Sequence, residues 1–437
     1  MHTDSTDKQS DIAQLFQAYS GDLYLNGAGI SLHKDTIDRL LKSMHSNPRK
    51  VISLQPTVPC ASELGMPACG EVARWIPQGE QIPPPSEMLI LKDTTEAERC
   101  HYYADEFSKC YPFPKQVSVV VSNQCNLKCV MCPYHGEDAT NHQTDYFKKP
   151  QRISNELVEA IIEQCAAERS NIKVGNIEEP LLYQGMVDFV GQARRRGVPR
   201  FHITTNGILL TQETSRALLE GGLTSLYVSV DAFSSERYTA IRRANINQVK
   251  RNIIDFLKLR KIINPSCLVM VSYVKNNGND QDTEAFLKFW KEFVDGVIFY
   301  ELNRLDEKNN TKLLSQNSAV QEMVHDRVKK YNRWPCLNPF TEMYILPDGS
   351  TVYCCTTIGS FGVRGAESMG NAKTTPLKEI WKGSPFTQLR KKLLRNELDP
   401  DHICASCPVW CAHICHKSTE LGMKVTRNII TSIYTKV

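Results

Sequence analysis

Long runs of any one kind are missing from this sequence. No apolar stretch in its 437 residues approaches the roughly 20 residues of a membrane span, so no membrane partner is expected. Blocks of like charge are missing too. The 52 Lys and Arg stand against 48 Asp and Glu, a formal net charge of +4. That balance offers no basic face to a nucleic acid, and no nucleic-acid partner is expected. The opening MHTDSTDKQS is polar and lacks the apolar core of a secretory signal. A soluble, cytoplasmic protein with room for two or three domains is the expectation.

Cysteine, by contrast, is plentiful, at 16 residues. In a small secreted domain such a number would mean disulfides, but this chain is long and shows no export signal. Two tight groups stand out, Cys125/Cys129/Cys132 and Cys404/Cys407/Cys411/Cys415. Clustering of that kind points to metal. The scattered Cys60, Cys69, Cys100, Cys110, Cys165 and Cys267 read as small buried apolar residues or bystanders.

Between Val117 and about Asn332 strand-like and helix-like runs alternate. VSVVVS precedes SNELVEAIIEQCAAE, and NIKVGNIEEP precedes MVDFVGQARRRG. FHITTNG with SRALLEGG, SLYVSVDA with QVKRNIIDFLKLRKI, SCLVMVSYV with EAFLKFWKEFV, and GVIFYELNR with AVQEMVHDRVKKY complete the series. Apolar, β-branched strands separated by amphipathic helices predict a parallel sheet covered by helices. Six units over roughly 215 residues suit an open, partial (βα)6 barrel better than a closed eight-fold one. The fold class is therefore α/β, with ligands expected on loops at the carboxyl ends of the strands. Residues 1–115 form an N-terminal extension with one helix candidate, KDTIDRLLKSM, and a proline-rich stretch, IPQGEQIPPPSEM. A role in substrate recognition or packing is expected of it. Residues 116–333 form the core, and 334–437 a small cysteine-rich C-terminal domain.

In VSNQCNLKCVMCPYH three cysteines follow the first strand at C-x3-C-x2-C spacing. Three thiolates are one short of a structural zinc site or an ordinary iron–sulfur cluster, either of which would have to borrow a distant fourth ligand. The spacing resembles the signature of the radical S-adenosylmethionine (SAM) superfamily. The resemblance implies a [4Fe–4S] cluster on Cys125, Cys129 and Cys132 with an open iron site. SAM chelates that iron through its amino and carboxylate groups and is cleaved reductively to a 5′-deoxyadenosyl radical. It also implies a small redox protein as electron donor. GNIEEPLL is similar to the family's Gly-Gly-Glu-Pro segment, with Glu179 placed for the SAM amino group, although Ile177 and Glu178 replace the two glycines. Thr205 and Asn206 of ITTNGILL match a turn that lies near SAM in the family. Ser229 and Asp231, two apart on a strand and hence on one face, match positions that hold the ribose. Arg242, in the helix that follows, is a candidate for the SAM carboxylate. Met131 stands where the family has an aromatic, and its thioether can cover the adenine.

The C-terminal region reads C-x12-G-x4-C from Cys336 through Gly349 to Cys354, then C-x2-C-x3-C-x3-C from Cys404 to Cys415. PDGSTVYCC predicts a hairpin turning at Asp348-Gly349. This resembles the SPASM and twitch extensions of radical SAM enzymes and implies at least one auxiliary [4Fe–4S] cluster. Cys336, Cys354, Cys404 and Cys407 fit the twitch form, with Cys411 and Cys415 as substitutes or ligands of a second cluster. A structural zinc suits four thiolates equally well. Adjacent strand residues point to opposite faces, so Cys354 and Cys355 are not expected to serve one cluster. Cys355 is then either a hydrogen donor to a substrate radical or a cysteine packed behind the hairpin.

The overall layout resembles radical SAM enzymes that modify ribosomally made peptides, the proteusin-type epimerases first. A precursor peptide is the partner this implies, and conversion of L- to D-residues the reaction. A cross-linking or oxidising maturase, a small-metabolite dehydrogenase, and a non-catalytic iron–sulfur or zinc-binding scaffold are the alternatives.

Overall fold

The computed structural model describes residues 111–136, 145–276, 279–301, 336–358, 368–395, 397–405, 407, 416–427 and 431–436. The helix expected in KDTIDRLLKSM, the proline-rich stretch and the sixth helix over AVQEMVHDRVKKY lie outside the described residues. The chain divides into two compact units. One comprises 1–110, 327–335 and 387–397, and the other comprises 111–326, 336–386 and 398–437. In the first unit only 387–395, at the end of a helix, and Glu397 are described.

The second unit is built on a parallel sheet. Its strands are β1 (Gln116–Val119), β2 (Asn171–Val174), β3 (Phe201–Thr205), β4 (Ser225–Ser229), β5 (Leu268–Lys275) and β6 (Gly296–Glu301). They lie side by side in chain order, each parallel to the next. Helices α1 (Asn155–Ala167), α2 (Met186–Arg195), α3 (Gln212–Glu220), α4 (Ser235–Arg242), α5 (Ile246–Ile263) and α6 (Thr283–Trp290) connect them. Local chemistry sets where several helices begin. Ser154, Thr211 and Ser234 each accept a backbone N–H of the first turn, at α1, α3 and α4. The expected α/β partial barrel is the fold observed.

Both edges of this sheet are covered from the C-terminal region. β7 (Glu342–Ile345) joins β1 in parallel and turns through Asp348-Gly349 into β8 (Ser350–Val352), which pairs with β9 (Gly370–Asn371). The hairpin expected from PDGSTVYCC is present, with Gly349 at φ +87°. Beyond β6 lies an antiparallel meander that the sequence reading did not include: β10 (His416–Glu420), β11 (Met423–Arg427) and β12 (Thr431–Lys436). These additions shift the edges of the sheet from β1 and β6 to β9, only two residues long, and to β10.

Period-two alternation sorts the residues of each strand. Phe201 of β3 meets Phe189 of α2 at 4.9 Å between ring centres, and Tyr273 of β5 meets Phe286 of α6 at 4.8 Å. Register carries that helix-facing side across the sheet through Val117, Ile172, Ile203, Leu226 and Val271. All of these are fully buried. The opposite, inner side presents Ser118, Lys173, His202, Ser225 and Tyr227. Cys165 and Cys267 are buried, as their reading as small apolar residues requires. Cys60, Cys69, Cys100 and Cys110 fall outside the described residues.

Candidate active site

The first three cysteines sit on the loop leaving β1. Their backbone is wound tightly: Cys132 N–H donates to Cys129 O (2.9 Å), and Gly136 N–H donates to Cys132 O (3.1 Å). A side chain at Gly136 would stand 2.7 Å from Cys132 O, so the turn requires glycine. The thiol-bearing residues gather in one apolar patch, where Cys125, Cys129 and Cys132 pack with Leu127, Met131, Ile208, Ile241 and Ala244. Met131 is therefore beside the cysteines, as expected. Burial pushes Cys125 up to about 12 and also raises Cys129. Thiols protonated in the absence of a cation must give up those protons when metal binds. Three thiols in a closely wound loop with an apolar surround are the donor chemistry a cluster takes, although among the described residues no group of three Cys, His, Asp or Glu stands arranged to hold a metal ion.

Two neighbouring acids have separate tasks. Glu178 is buried and its carboxylate accepts backbone N–H groups from Val121 (3.3 Å), Gly175 (3.4 Å), Asn176 (3.2 Å) and Ile177 (2.9 Å). It ties the loop after β2 to the segment entering the cysteine loop. Burial lifts its pKa to about 7 against those donors. The sequence reading took Glu178 only as the replacement of a glycine. Glu179, 1% exposed, turns the other way. Its Oε1 accepts Leu181 N–H (3.1 Å) and the Thr205 hydroxyl (2.7 Å), and its Oε2 accepts Asn206 N–H (2.8 Å). A carboxylate offers about four acceptor positions, so Oε2 keeps capacity for an ammonium. Thr205 and Asn206 act here as holders of Glu179. The Asn206 side chain also donates to Asn126 Oδ1 (2.7 Å), inside the cysteine loop.

One expectation needs correction. Asp231 does not share a strand face with Ser229, because β4 ends at Ser229 and Asp231 stands at φ +66°. Strand parity stops at the end of the strand. Ser229 remains on the inner side and accepts the Ser272 hydroxyl (3.3 Å). The Asp231 carboxylate is fully buried, accepts Val274 N–H (2.7 Å) and forms an ion pair with Arg242. Arg242 is buried, at 8% exposed, and its Nη1 donates to Cys129 Sγ (3.5 Å). Burial works against its charge, but Asp231 and Cys129 raise its pKa on balance. The guanidinium is thus a bridge from the end of β4 to the cysteine loop.

Cys336, Cys354, Cys404 and Cys407 lie in one neighbourhood. Cys354 accepts the Asn338 amide (3.6 Å), Cys404 donates to the Tyr353 hydroxyl (3.8 Å), and Cys407 N–H donates to Cys404 O (3.3 Å). The Cys336 thiol is raised by burial first, and then by the nearby charges of Cys354, Cys407 and Cys404. Cys411 and Cys415 lie outside the described residues. Cys355 opens a one-turn helix, Cys355–Ile358, and is not on β8. The argument from opposite strand faces therefore does not separate it from Cys354, whose thiol is its hydrogen-bonding neighbour. Cys355 packs with Val120, Tyr344 and Ile358 on the inner side of the sheet.

The cysteine loop thus lies at the mouth of a partial barrel, with a buried glutamate one unit on. Residues 119–289 match the radical SAM superfamily, and residues 336–408 match SPASM, an iron–sulfur cluster-binding domain. The cofactors these domains imply are a [4Fe–4S] cluster, SAM and auxiliary iron–sulfur clusters. Among curated proteins, the GTP 3′,8-cyclase of Chlorobaculum tepidum is 28% identical over 194 residues, 44% of this chain and 54% of that protein. The GTP 3′,8-cyclase of Limosilactobacillus fermentum is 29% identical over 232 residues, 52% of this chain and 64% of that protein. The chain thus spans between half and two thirds of the length of these relatives. Among solved structures, Streptococcus suis SuiB bound to precursor peptide SuiA superposes with a TM-score of 0.51 at 14% identity, over 78% of this chain and 79% of that one. That likeness concerns the fold. Among the described residues no helix is long and apolar enough to cross a membrane.

Proposed function

We propose that this chain epimerises residues of a ribosomally made peptide, with the Cys355 thiol giving a hydrogen atom to the substrate α-carbon radical and the thiyl so formed taking one electron, from a small redox protein, and one proton to return to the thiol. When bound, the cluster and SAM supply a 5′-deoxyadenosyl radical that abstracts hydrogen from the substrate. The residues of this chain do the remaining work. Cys125, Cys129 and Cys132 hold the cluster, the spare capacity of Glu179 takes the SAM ammonium, and Met131 and Ser229 line the same pocket. Cys336, Cys354, Cys404 and Cys407 hold an auxiliary cluster, and a small redox protein is the electron donor.

One observation carries the reading. Cys355 is not one of the four-cysteine set, although its thiol hydrogen-bonds with that of Cys354, and it packs with Val120 and Tyr344 on the inner side of the sheet. A thiol on that side supports the reading, since a substrate lying in the barrel would face it. The peptide class draws support from the fold shared with SuiB, whose structure holds a precursor peptide. A second reading rests on the hydrogen bond between Cys355 and Cys354, which places the thiol beside the auxiliary set. There an electron passes to that cluster, and the product is oxidised or cross-linked.

Coexpression with precursor peptides in deuterated water, followed by mass spectrometry, separates the two. Epimerisation adds one deuterium at the α-carbon of each converted residue, and Cys355→Ala abolishes that gain while 5′-deoxyadenosine still forms from SAM. A peptide lighter by two hydrogens supports the second reading and rejects the first. Deuterium gain in Cys355→Ala would show that another thiol is the donor.

A further inference from the structure

The inner side of the sheet carries a polar row that neither the cysteine loop nor the SAM pocket uses. Register aligns Ser118 of β1 with Lys173 of β2, Lys173 with His202 of β3, and His202 with Ser225 of β4. On the other flank Ser118 aligns with Tyr344 of β7. Barrel interiors are ordinarily filled by bulky branched residues. Here the helix side of the same strands follows that habit and the inner side does not.

Two members of the row lack partners. Ser118 is fully buried, and its hydroxyl has no hydrogen-bond partner. Lys173, half-buried, makes no ion pair or hydrogen bond among the described residues. His202 does not share its burden. Its Nδ1 is 2.9 Å from the Ser225 hydroxyl and its Nε2 is 2.9 Å from the Thr204 hydroxyl, and burial keeps the ring neutral, with its pKa lowered to about 3. The buried, unpaired Ser118 hydroxyl costs folding free energy unless something completes it, and the half-buried Lys173 is its neighbour in register.

We propose that Lys173 and Ser118 form a subsite for a carboxylate of the peptide substrate, an inference that rests on the peptide reading above. The ammonium supplies the charge and the serine hydroxyl a second donor. A carboxylate suits the site better than a phosphate because Glu342 shares this side of the sheet, one residue pair before Tyr344 in register and hydrogen-bonded by the Tyr344 hydroxyl (2.7 Å). Lys173 alone matches a single negative charge, and Glu342 on the same side disfavours a second. The subsite also fixes direction. Tyr344, the neighbour of Ser118, packs in the same cluster as Cys355, so a substrate anchored here runs along the face that bears the thiol.

Anaerobic calorimetry on the full chain loaded with its clusters tests this, with N-acetylglycine, its neutral amide and inorganic phosphate as probes. N-acetylglycine should bind and the amide should not. Lys173→Met should weaken N-acetylglycine binding about tenfold or more, the loss of one charge-assisted hydrogen bond. Lys173→Arg should retain part of it, and Ser118→Ala should weaken it several-fold. Unchanged binding in Lys173→Met, with circular dichroism and cluster absorbance as in the parent, overturns the proposal. Equal binding of the amide, or binding of phosphate without N-acetylglycine, does so too. If Lys173→Met fails to fold, the contrast between acid and amide on the parent chain and the Ser118→Ala result still decide. The readout is binding without turnover. Failure here leaves a peptide mass shift standing, and an unchanged peptide leaves the calorimetry standing.

Discussion

Replacing Arg242 by Gln removes the buried cation that joins Asp231 to Cys129. The structure sets the size of the effect. Asp231 is fully buried and Arg242 is 8% exposed, so neither charge can turn to water when its partner is lost. Breaking one side of such a pair costs about 3–5 kcal/mol, because the remaining charge stays buried without compensation. Val274 N–H still serves Asp231, which argues for the lower end, about 3 kcal/mol. Asp231→Asn is the matching change. Asn tolerates the left-handed backbone at φ +66°, so only the charge is lost. The double variant should then be less destabilised than the two single losses combined, by about 1 kcal/mol or more. Urea unfolding of the cluster-free chain, followed by circular dichroism in reducing buffer, measures all four proteins. A loss under about 0.5 kcal/mol in Arg242→Gln, or strict additivity in the cycle, would refute the bridge.

Glu178 gives stability a pH slope. Its pKa rises from 4.5 to about 7 on folding, so the folded chain binds more protons than the unfolded chain between those values. Stability contributed by this group is full below 4.5 and is lost as pH climbs through about 7. At about 1.4 kcal/mol per unit, that is roughly 3 kcal/mol across the window. Unfolding midpoints from pH 5 to 8 should fall more steeply in the parent than in Glu178→Gln, and parallel curves would dismiss the idea. Gly175 and Gly197 form a matched pair, both at positive φ, +97° and +90°. A methyl group at Gly175 would stand 2.1 Å from Thr204 O, whereas none of the surrounding atoms lies within 4 Å of one at Gly197. Gly197→Ala should cost about 1–2 kcal/mol for the backbone alone, and Gly175→Ala clearly more. Gly175→Ala should also loosen the grip of Glu178 on the β2 loop and weaken SAM binding. Equal losses in the two variants would mean that the β2 loop yields without resistance.

The parts of this protein legible from sequence are those written locally. Apolar β-branched runs and capped amphipathic helices disclose β1–β6 with their helices, because both periods show within a single window. The cysteine triplet was legible for the same reason, since three ligands within eight residues need no knowledge of the fold. The meander β10–β12 was missed because HKSTE, MKVTR and TSIYTK alternate with Lys, Thr and Ser, and an edge meander carries little apolar signal. The one available cue was the turn at Leu421-Gly422, where both residues have positive φ in the manner of a tight hairpin. Asp231 was misplaced because strand parity was carried two residues past the end of β4. The ion pair of Arg242 was not legible because Asp231 sits eleven positions earlier and meets it only through the turn into α4. Lys173 and Ser118 lie further still from any local signal. Each is unremarkable in its own strand, and register alone makes them neighbours. The division has a chemical sense. The three thiols that would hold the first cluster sit on one short loop, where spacing is enough to specify them. Those that would select a substrate are spread over different strands, so they are set by pairing between strands and by no motif. A reading of the substrate must therefore begin from the inner row, and the contrast between a carboxylate and its amide at Lys173 is where that reading meets measurement.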